Sequence, residues 1–272
     1  MSFERDVDVA LAVAGMGAAV VRQRFGSALR RVEKGGGDFA TSADVEAEGA
    51  MVALLRRERP NDAILGEEMG RSGPEGGARI WLIDPLCGTH NYAAGMRMVA
   101  VNVALEAAGR LAVAAAADPF ADEIFWTDGA GAWKRVSGHD VQLAPDATSR
   151  LVELNFDPPF PSAPSFRATA LAAQSEFARR FRPRVISTSL ALAWVAAGRR
   201  AAYMTDGDLR RSVHFAAGLA LCEAAGCTLT DLRGQPWGRG ATGLVAAADA
   251  ETHARLLEMV RQVGAPPARP IA

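Results

Sequence analysis

Cysteine, lysine and excess charge of either sign are what this 272-residue sequence has least of. Three cysteines, Cys87, Cys222 and Cys227, form an odd set with no metal-type Cys-x-x-Cys spacing, which excludes a disulfide framework. Thirty basic against thirty-one acidic side chains leave a net charge of -1. No overall positive field exists to hold nucleic acid or an anionic membrane surface, so any anion binding must be local. Lysine occurs only as Lys34 and Lys134, and arginine supplies the other basic residues, a bias we read as genome composition. No apolar run reaches the ~18 residues of a spanning helix. The opening residues, Met1-Ser2-Phe3-Glu4-Arg5-Asp6-Val7-Asp8, carry acids where a signal peptide has a basic and then an apolar stretch, so a cytoplasmic protein is expected.

What is present is an ordinary globular composition, 49% apolar and 22% charged, enough for one or two cores. From Phe3 to Phe25 apolar residues recur at helical spacing, and Arg30-Arg31 followed by Gly35-Gly36-Gly37 predicts a stop and a flexible loop. Thr41-Ser42-Ala43-Asp44 reads as a capping signal for a second helix running to Arg57 and ended by Pro60. Apolar runs at 63–65, 80–83, 98–105, 111–117 and 123–126 read as strands of one sheet. Pro158, Pro159, Pro161 and Pro164 suggest a boundary. Beyond it helices near 166–180, 189–198, 214–225 and 250–263 alternate with strands near 185, 201–204, 228–232 and 244–247. The expectation is a layered α/β protein of two subdomains, residues 1–150 and 151–272.

Chemistry concentrates in Ile83-Asp84-Pro85-Leu86-Cys87-Gly88-Thr89-His90-Asn91-Tyr92, where a buried strand ends. A carboxylate there, then a Pro-containing turn, then Gly-Thr opening a helix, sets an acid beside free backbone amides, a geometry suited to a metal-bound phosphate. Gly66-Glu67-Glu68 follows another short strand, so its acids could converge on Asp84; as solvated loop acids they would do nothing of the kind.

With these residues the sequence resembles the inositol monophosphatase superfamily of metal-dependent, lithium-sensitive phosphatases, which includes fructose bisphosphatases and nucleotide bisphosphate phosphatases. The family's Gly-Glu-Glu segment is matched by Gly66-Glu67-Glu68, and its Asp-Pro-Leu-Asp-Gly-Thr-x-Asn-Phe by Asp84-Pro85-Leu86-Cys87-Gly88-Thr89-His90-Asn91-Tyr92. Its Trp-Asp-x-Ala-Ala-Gly and Glu-Ala-Gly-Gly are matched by Val213-His214-Phe215-Ala216-Ala217-Gly218 and Glu223-Ala224-Ala225-Gly226-Cys227, and its early Asp-x-Val-Thr-x-x-Asp by Asp38 to Asp44. The resemblance covers nearly the whole chain. It implies alternating helix and sheet layers (an α+β sandwich of the inositol-monophosphatase and fructose-bisphosphatase type), a homodimer, and a small phosphorylated or otherwise anionic metabolite as substrate. It further implies that Glu67, Asp84 and the Leu86 carbonyl hold a first Mg²⁺, that Asp44 and Thr89 orient the attacking water, and that amides around Gly88 and Thr89 take the phosphate oxygens. The family's second ion is held by the shared Asp84 and two further aspartates, whose places are taken here by Cys87 and His214.

Magnesium requires hard oxygen ligands, so a thiol and an imidazole remove nearly all affinity at that second position. Three readings follow. In one, the protein remains a phosphomonoester hydrolase with an incomplete or altered metal site. In another, Cys87 is a nucleophile and His214 its base, supporting acyl transfer or related covalent chemistry with Asp84, Glu67 or Thr89 assisting. On that reading Cys87 precedes a helix start that lowers its pKa, and His214 at the start of another helix stays neutral. In the third, Asp84, Cys87 and His214 bind a softer ion such as Zn²⁺ or Fe²⁺, or the site is a silent binding relic. The plainest alternative makes Cys87 a buried small residue and His214 a satisfied core histidine.

Cys222 and Cys227 read as core residues, and His139 and His253 as exposed. His90, beside the presumed phosphate loop, contacts substrate or solvent. The stretch from Thr205 to Ser212 stands where the family reads its substrate but lacks the family's Glu-x-Gly and Pro-Trp features, so inositol phosphate is not the expected ligand. Arg210 and Arg211 there could pair with a substrate anion or form a solvated basic turn. Ser187 lies in a Ser-Thr-Ser segment that lines the substrate pocket or caps the next helix.

Overall fold

The computed structural model describes residues 3–156, 167–207, 209, 211–237 and 243–263. Its strands form an eight-stranded and a five-stranded sheet and one separate hairpin, and its helices fill the layers between and outside the two sheets. Helices α1 (Asp6–Arg24) and α2 (Ser42–Glu58) cover one face of the larger sheet. That sheet comprises β3 (Ala63–Gly66), β4 (Gly70–Ser72), β5 (Arg79–Cys87), β6 (Ala100–Ala107), β7 (Arg110–Asp118), β8 (Glu123–Thr127), β9 (Ala132–Val136) and β10 (His139–Gln142). Its order is β10-β9-β8-β7-β6-β5-β3-β4, antiparallel throughout except for the parallel β3–β5 pair.

The smaller sheet, ordered β12-β11-β13-β15-β14, contains β11 (Leu151–Leu154), β12 (Arg182–Val185), β13 (Ala202–Thr205), β14 (Thr228–Thr230) and β15 (Leu244–Ala247). Helices α6 (Leu190–Ala196) and α7 (Ala216–Ala225) lie between the two sheets, while α4 (Arg167–Ala172), α5 (Ser175–Arg180) and α8 (Ala250–Val263) flank the smaller one. Among the described residues no helix is long and apolar enough to cross a membrane.

Strand periodicity divides the core. Trp81 and Ile83 of β5 pack with Val9, Val13, Met51 and Leu55 on the α1/α2 side, whereas Ile80 and Leu82 join Leu192, Leu219 and Tyr203 on the α6/α7 side. Burial on both faces explains why β5 and β6 read as nearly unbroken apolar runs. Helix α6 and the first seven residues of α7 are apolar and almost wholly buried, and the two helices approach closely: a Cβ on Gly218 would lie 2.5 Å from the Leu192 Cβ.

Several expectations are corrected. The predicted loop after α1 is a hairpin, β1 (Arg31–Gly35) with β2 (Asp38–Thr41), turned by Gly35, Gly36 and Gly37 at positive φ. The helix expected over 166–180 is broken at Gln174, which adopts an extended conformation before α5. Helix α7 starts at Ala216, so His214 belongs to the preceding turn. His253 is buried, its Nε2 2.9 Å from Thr230 Oγ1. Cys222 is buried and Cys227 packs against the same core, as expected. The proline cluster from Pro158 to Pro164 lies outside the described residues.

Candidate active site

A bulge at the end of β5 builds the centre of the site. Asp84 pairs with Asn102 and Cys87 with Ala100, so three steps on β5 oppose two on β6. Without the extra residue, positions three apart would face opposite sides of the sheet; with it, Asp84 and Cys87 share one face. Pro85 belongs in such an irregularity because it has no N–H to give to a ladder. Asp84 is fully buried, and its Oδ1 accepts from Leu86 N at 3.0 Å. Immediately after Cys87, Gly88 takes φ +107, and a Cβ there would meet the carbonyls of Met98 and Ser187 at 3.0 Å. Only glycine turns the chain here at low cost. A short helix, α3 (Thr89–Ala93), follows.

Glu67 reaches the same centre from the end of β3, the parallel neighbour of β5. Its Oε1 accepts from Lys34 Nζ at 2.9 Å, whereas its buried Oε2 has no hydrogen-bond partner among the described residues and lies 3.8 Å from His214 Nδ1. Burial, reinforced by the Asp84 carboxylate, pushes the Glu67 carboxyl up to about 8. Lys34 also binds Glu68 at 2.6 Å; these two pairings outweigh its burial and hold its ammonium charged. Neither Lys34 nor Glu48 was singled out by the sequence. Glu48 accepts from Glu68 N and Met69 N, both at 2.8 Å, and so fixes the backbone around Glu67. A Cβ on Gly66 would sit 2.0 Å from Glu48 Oε1. Gly66→Ala is therefore expected to lower stability by about 1–3 kcal/mol in urea unfolding, because Glu48 must leave its position.

The fold brings Asp44 and Thr89 together. Thr41 caps α2, and Asp44 Oδ2 returns to accept from Thr41 N at 2.9 Å. The other oxygen, Oδ1, accepts from Thr89 Oγ1 at 2.9 Å, and that hydroxyl lies 3.1 Å from the Leu86 carbonyl. Burial raises the Asp44 carboxyl against these hydrogen bonds.

His214 arrives from the turn before α7 and sets its Nδ1 2.8 Å from Asp84 Oδ2. One ligand atom each from Asp84, Cys87 and His214 lies within 4.8 Å of the other two. The electrostatics differ from the sequence expectation at both residues. Burial and the neighbouring Asp84 carboxylate push the Cys87 thiol up, overriding any helix-start effect. Burial opposes charge on His214 too, but the Asp84 carboxylate prevails and holds the imidazole well above its ordinary value. Ser189 N donates to Cys87 Sγ at 3.2 Å, and Asn102 Nδ2 donates to Ser189 Oγ at 2.7 Å.

These groups open onto a cavity of about 700 Å³ whose walls include Gly88, Thr89, His90, Ser187, Thr205 and Asp206. His90 is largely exposed, its ring 4.6 Å from that of Phe39. Ser187 contributes its carbonyl to Asn91 Nδ2 at 2.9 Å. Arg211 is not brought to this cavity: it is exposed, pairs with Glu106 at 2.9 Å and lines a neighbouring cavity of about 1210 Å³. Arg210 lies outside the described residues.

Comparison with known proteins agrees with this architecture. The model of the inositol monophosphatase family matches residues 4–265. Inositol-1-monophosphatase of Caulobacter vibrioides is 31% identical over 242 residues, covering 86% of this chain and 91% of that protein. Inositol-1-monophosphatase ImpA of Mycolicibacterium smegmatis is 32% identical over 258 residues, covering 91% and 88%. The solved inositol monophosphatase of Anabaena superposes with a TM-score of 0.78 at 26% identity, covering 96% of each chain. The layered α/β fold and the full-length match together show that this chain belongs to the inositol monophosphatase family.

Proposed function

We propose that the chain hydrolyses a phosphomonoester of a small anionic metabolite, using one hard-cation site. The observation that carries this is Glu67 Oε2, a buried carboxylate oxygen with no hydrogen-bond partner among the described residues, in the field of the fully buried Asp84. Carboxylates from Glu67 and Asp84 and the carbonyl of Leu86 would be an all-oxygen donor set of the kind that suits Mg²⁺, and these three residues would hold it. The neighbouring position does not fit the same ion, because Cys87 and His214 replace oxygen donors. When bound, a divalent cation at Glu67 and Asp84 supplies charge neutralisation to the phosphoryl group. The chain's own residues do the rest. Thr89 and Asp44, hydrogen-bonded to each other, orient the attacking water and accept its proton. Amides at Gly88 and Thr89 receive phosphate oxygens. The uncharged walls at Ser187, Thr188 and Thr205 suit a hydroxyl-bearing leaving group.

Cys87 as nucleophile with His214 as base is the second reading. His214 Nδ1 on Asp84 has the orientation a base requires, but the raised thiol and the readily protonated imidazole oppose both roles.

Glu67→Gln tests the first reading because it keeps the shape and removes the charge. Mg²⁺-stimulated phosphate release from a panel of sugar, polyol and nucleoside monophosphates is expected to fall ~10²–10³-fold. An unchanged rate in the folded variant would remove Glu67 from the mechanism.

A further inference from the structure

We propose that Asp84, Cys87 and His214 form a binding site for a borderline-soft divalent cation of the Zn²⁺ class. This deepens the hydrolase reading at the same cavity, where the resemblance places a second Mg²⁺. The donor set decides the ion. One carboxylate, one thiol and one imidazole are zinc ligands, whereas Mg²⁺ takes oxygen almost exclusively.

The placement is specific. The three ligand atoms lie within 4.8 Å of one another, and His214 Nδ1 is already 2.8 Å from Asp84 Oδ2 although the two residues are 130 positions apart in sequence. The β5 bulge is what turns Cys87 to the Asp84 side. Outer contacts are in place as well. Cys87 Sγ accepts from Ser189 N, Ser189 is held by Asn102, and Asp84 Oδ1 is engaged by Leu86 N, which leaves Oδ2 directed at His214. Such partners orient ligands in metal sites and account for much of their affinity. Cys87 and His214 both line the cavity, and the His214 side chain keeps 41% of its surface exposed. A fourth ligand position therefore faces the substrate space, as in catalytic rather than structural zinc sites.

The test uses the metal-stripped full chain and Co²⁺, which reports thiolate coordination by a near-ultraviolet charge-transfer band. The proposal predicts a band that saturates at one Co²⁺ per chain, is displaced by Zn²⁺ and persists in excess Mg²⁺. Cys87→Ser abolishes the band, and His214→Ala weakens Zn²⁺ binding by more than the ~10–100-fold typical of losing an outer partner. Cys222→Ala with Cys227→Ala leaves the band intact. Zn²⁺ also protects Cys87 of the unsubstituted protein from alkylation, located by mass spectrometry, so the answer does not depend on a variant folding. No band with the unsubstituted chain, a band retained in Cys87→Ser, or alkylation of Cys87 indifferent to Zn²⁺ would overturn the site. Phosphate release plays no part in these readouts: an inactive protein with the band leaves the site standing, and an active one without it leaves the hydrolase reading standing.

Discussion

Cys87→Asp combined with His214→Asp is expected to raise Mg²⁺-stimulated phosphate release by ~10²–10³-fold in zinc-free buffer, the scale of electrostatic stabilisation by an added charge centre in a closed site. The double change gives Asp84 two carboxylate neighbours, and hard oxygen donors are what a second Mg²⁺ requires. The bulge of β5 already turns position 87 toward Asp84, and His214 already reaches Asp84 Oδ2, so both new carboxylates would start in range. Aspartate is smaller than histidine, so the replacement at 214 creates no clash. Three buried carboxylates repel one another, so the variant should unfold more readily without Mg²⁺ and gain more stability on adding it. Each single substitution should give much less than half the effect, because ligands of one ion act as a unit. Initial rates on the monophosphate panel check this; no rise would mean that the surrounding residues no longer support hydrolysis.

Asp84→Asn is expected to cost ~10³-fold or more in kcat/KM, the largest loss of any single substitution. Asp84 stands at the junction of both proposed metal positions and is the partner of His214. Asparagine keeps an acceptor for Leu86 N but removes the charge that two cations would share. Asparagine also takes away the carboxylate that keeps the His214 imidazole charged, so some stability is lost as well, and the expected variant is folded by circular dichroism but inactive. Near-normal activity would separate Asp84 from the chemistry.

The larger sheet was legible because β3 and β5 to β8 are short apolar runs between turn residues, and Thr41 with Asp44 announced the start of α2. Less visible elements have local causes. Strands β9 and β10, at one end of the sheet, carry Lys134, Arg135 and Asp140 at half-buried or exposed positions, so they show no apolar run to detect. The β1–β2 hairpin is announced only by glycines, which read equally as a loop. In the site, Thr89 meets Asp44 across 45 positions, and the two were legible only because each lies in a segment that resembles a family motif. Lys34 reaches Glu67 from 33 residues away and Asn102 reaches Ser189 from 87, and nothing local marks such pairs. His214 was misplaced by two residues relative to α7, which reversed the inferred influence on its charge: Asp84, invisible at a separation of 130 positions, governs it. Arg211 looked like an anion ligand because guanidinium suits anions, yet Glu106 on β6 takes it out of the cavity.

Phosphate release by the EDTA-stripped chain, followed as Mg²⁺ is added back, decides whether this cavity performs the proposed Mg²⁺-assisted phosphomonoester hydrolysis. A basal rate near zero and a saturating rise with Mg²⁺ on at least one small monophosphate, reversed by EDTA, are expected. No release across the panel, or release indifferent to EDTA, would contradict it.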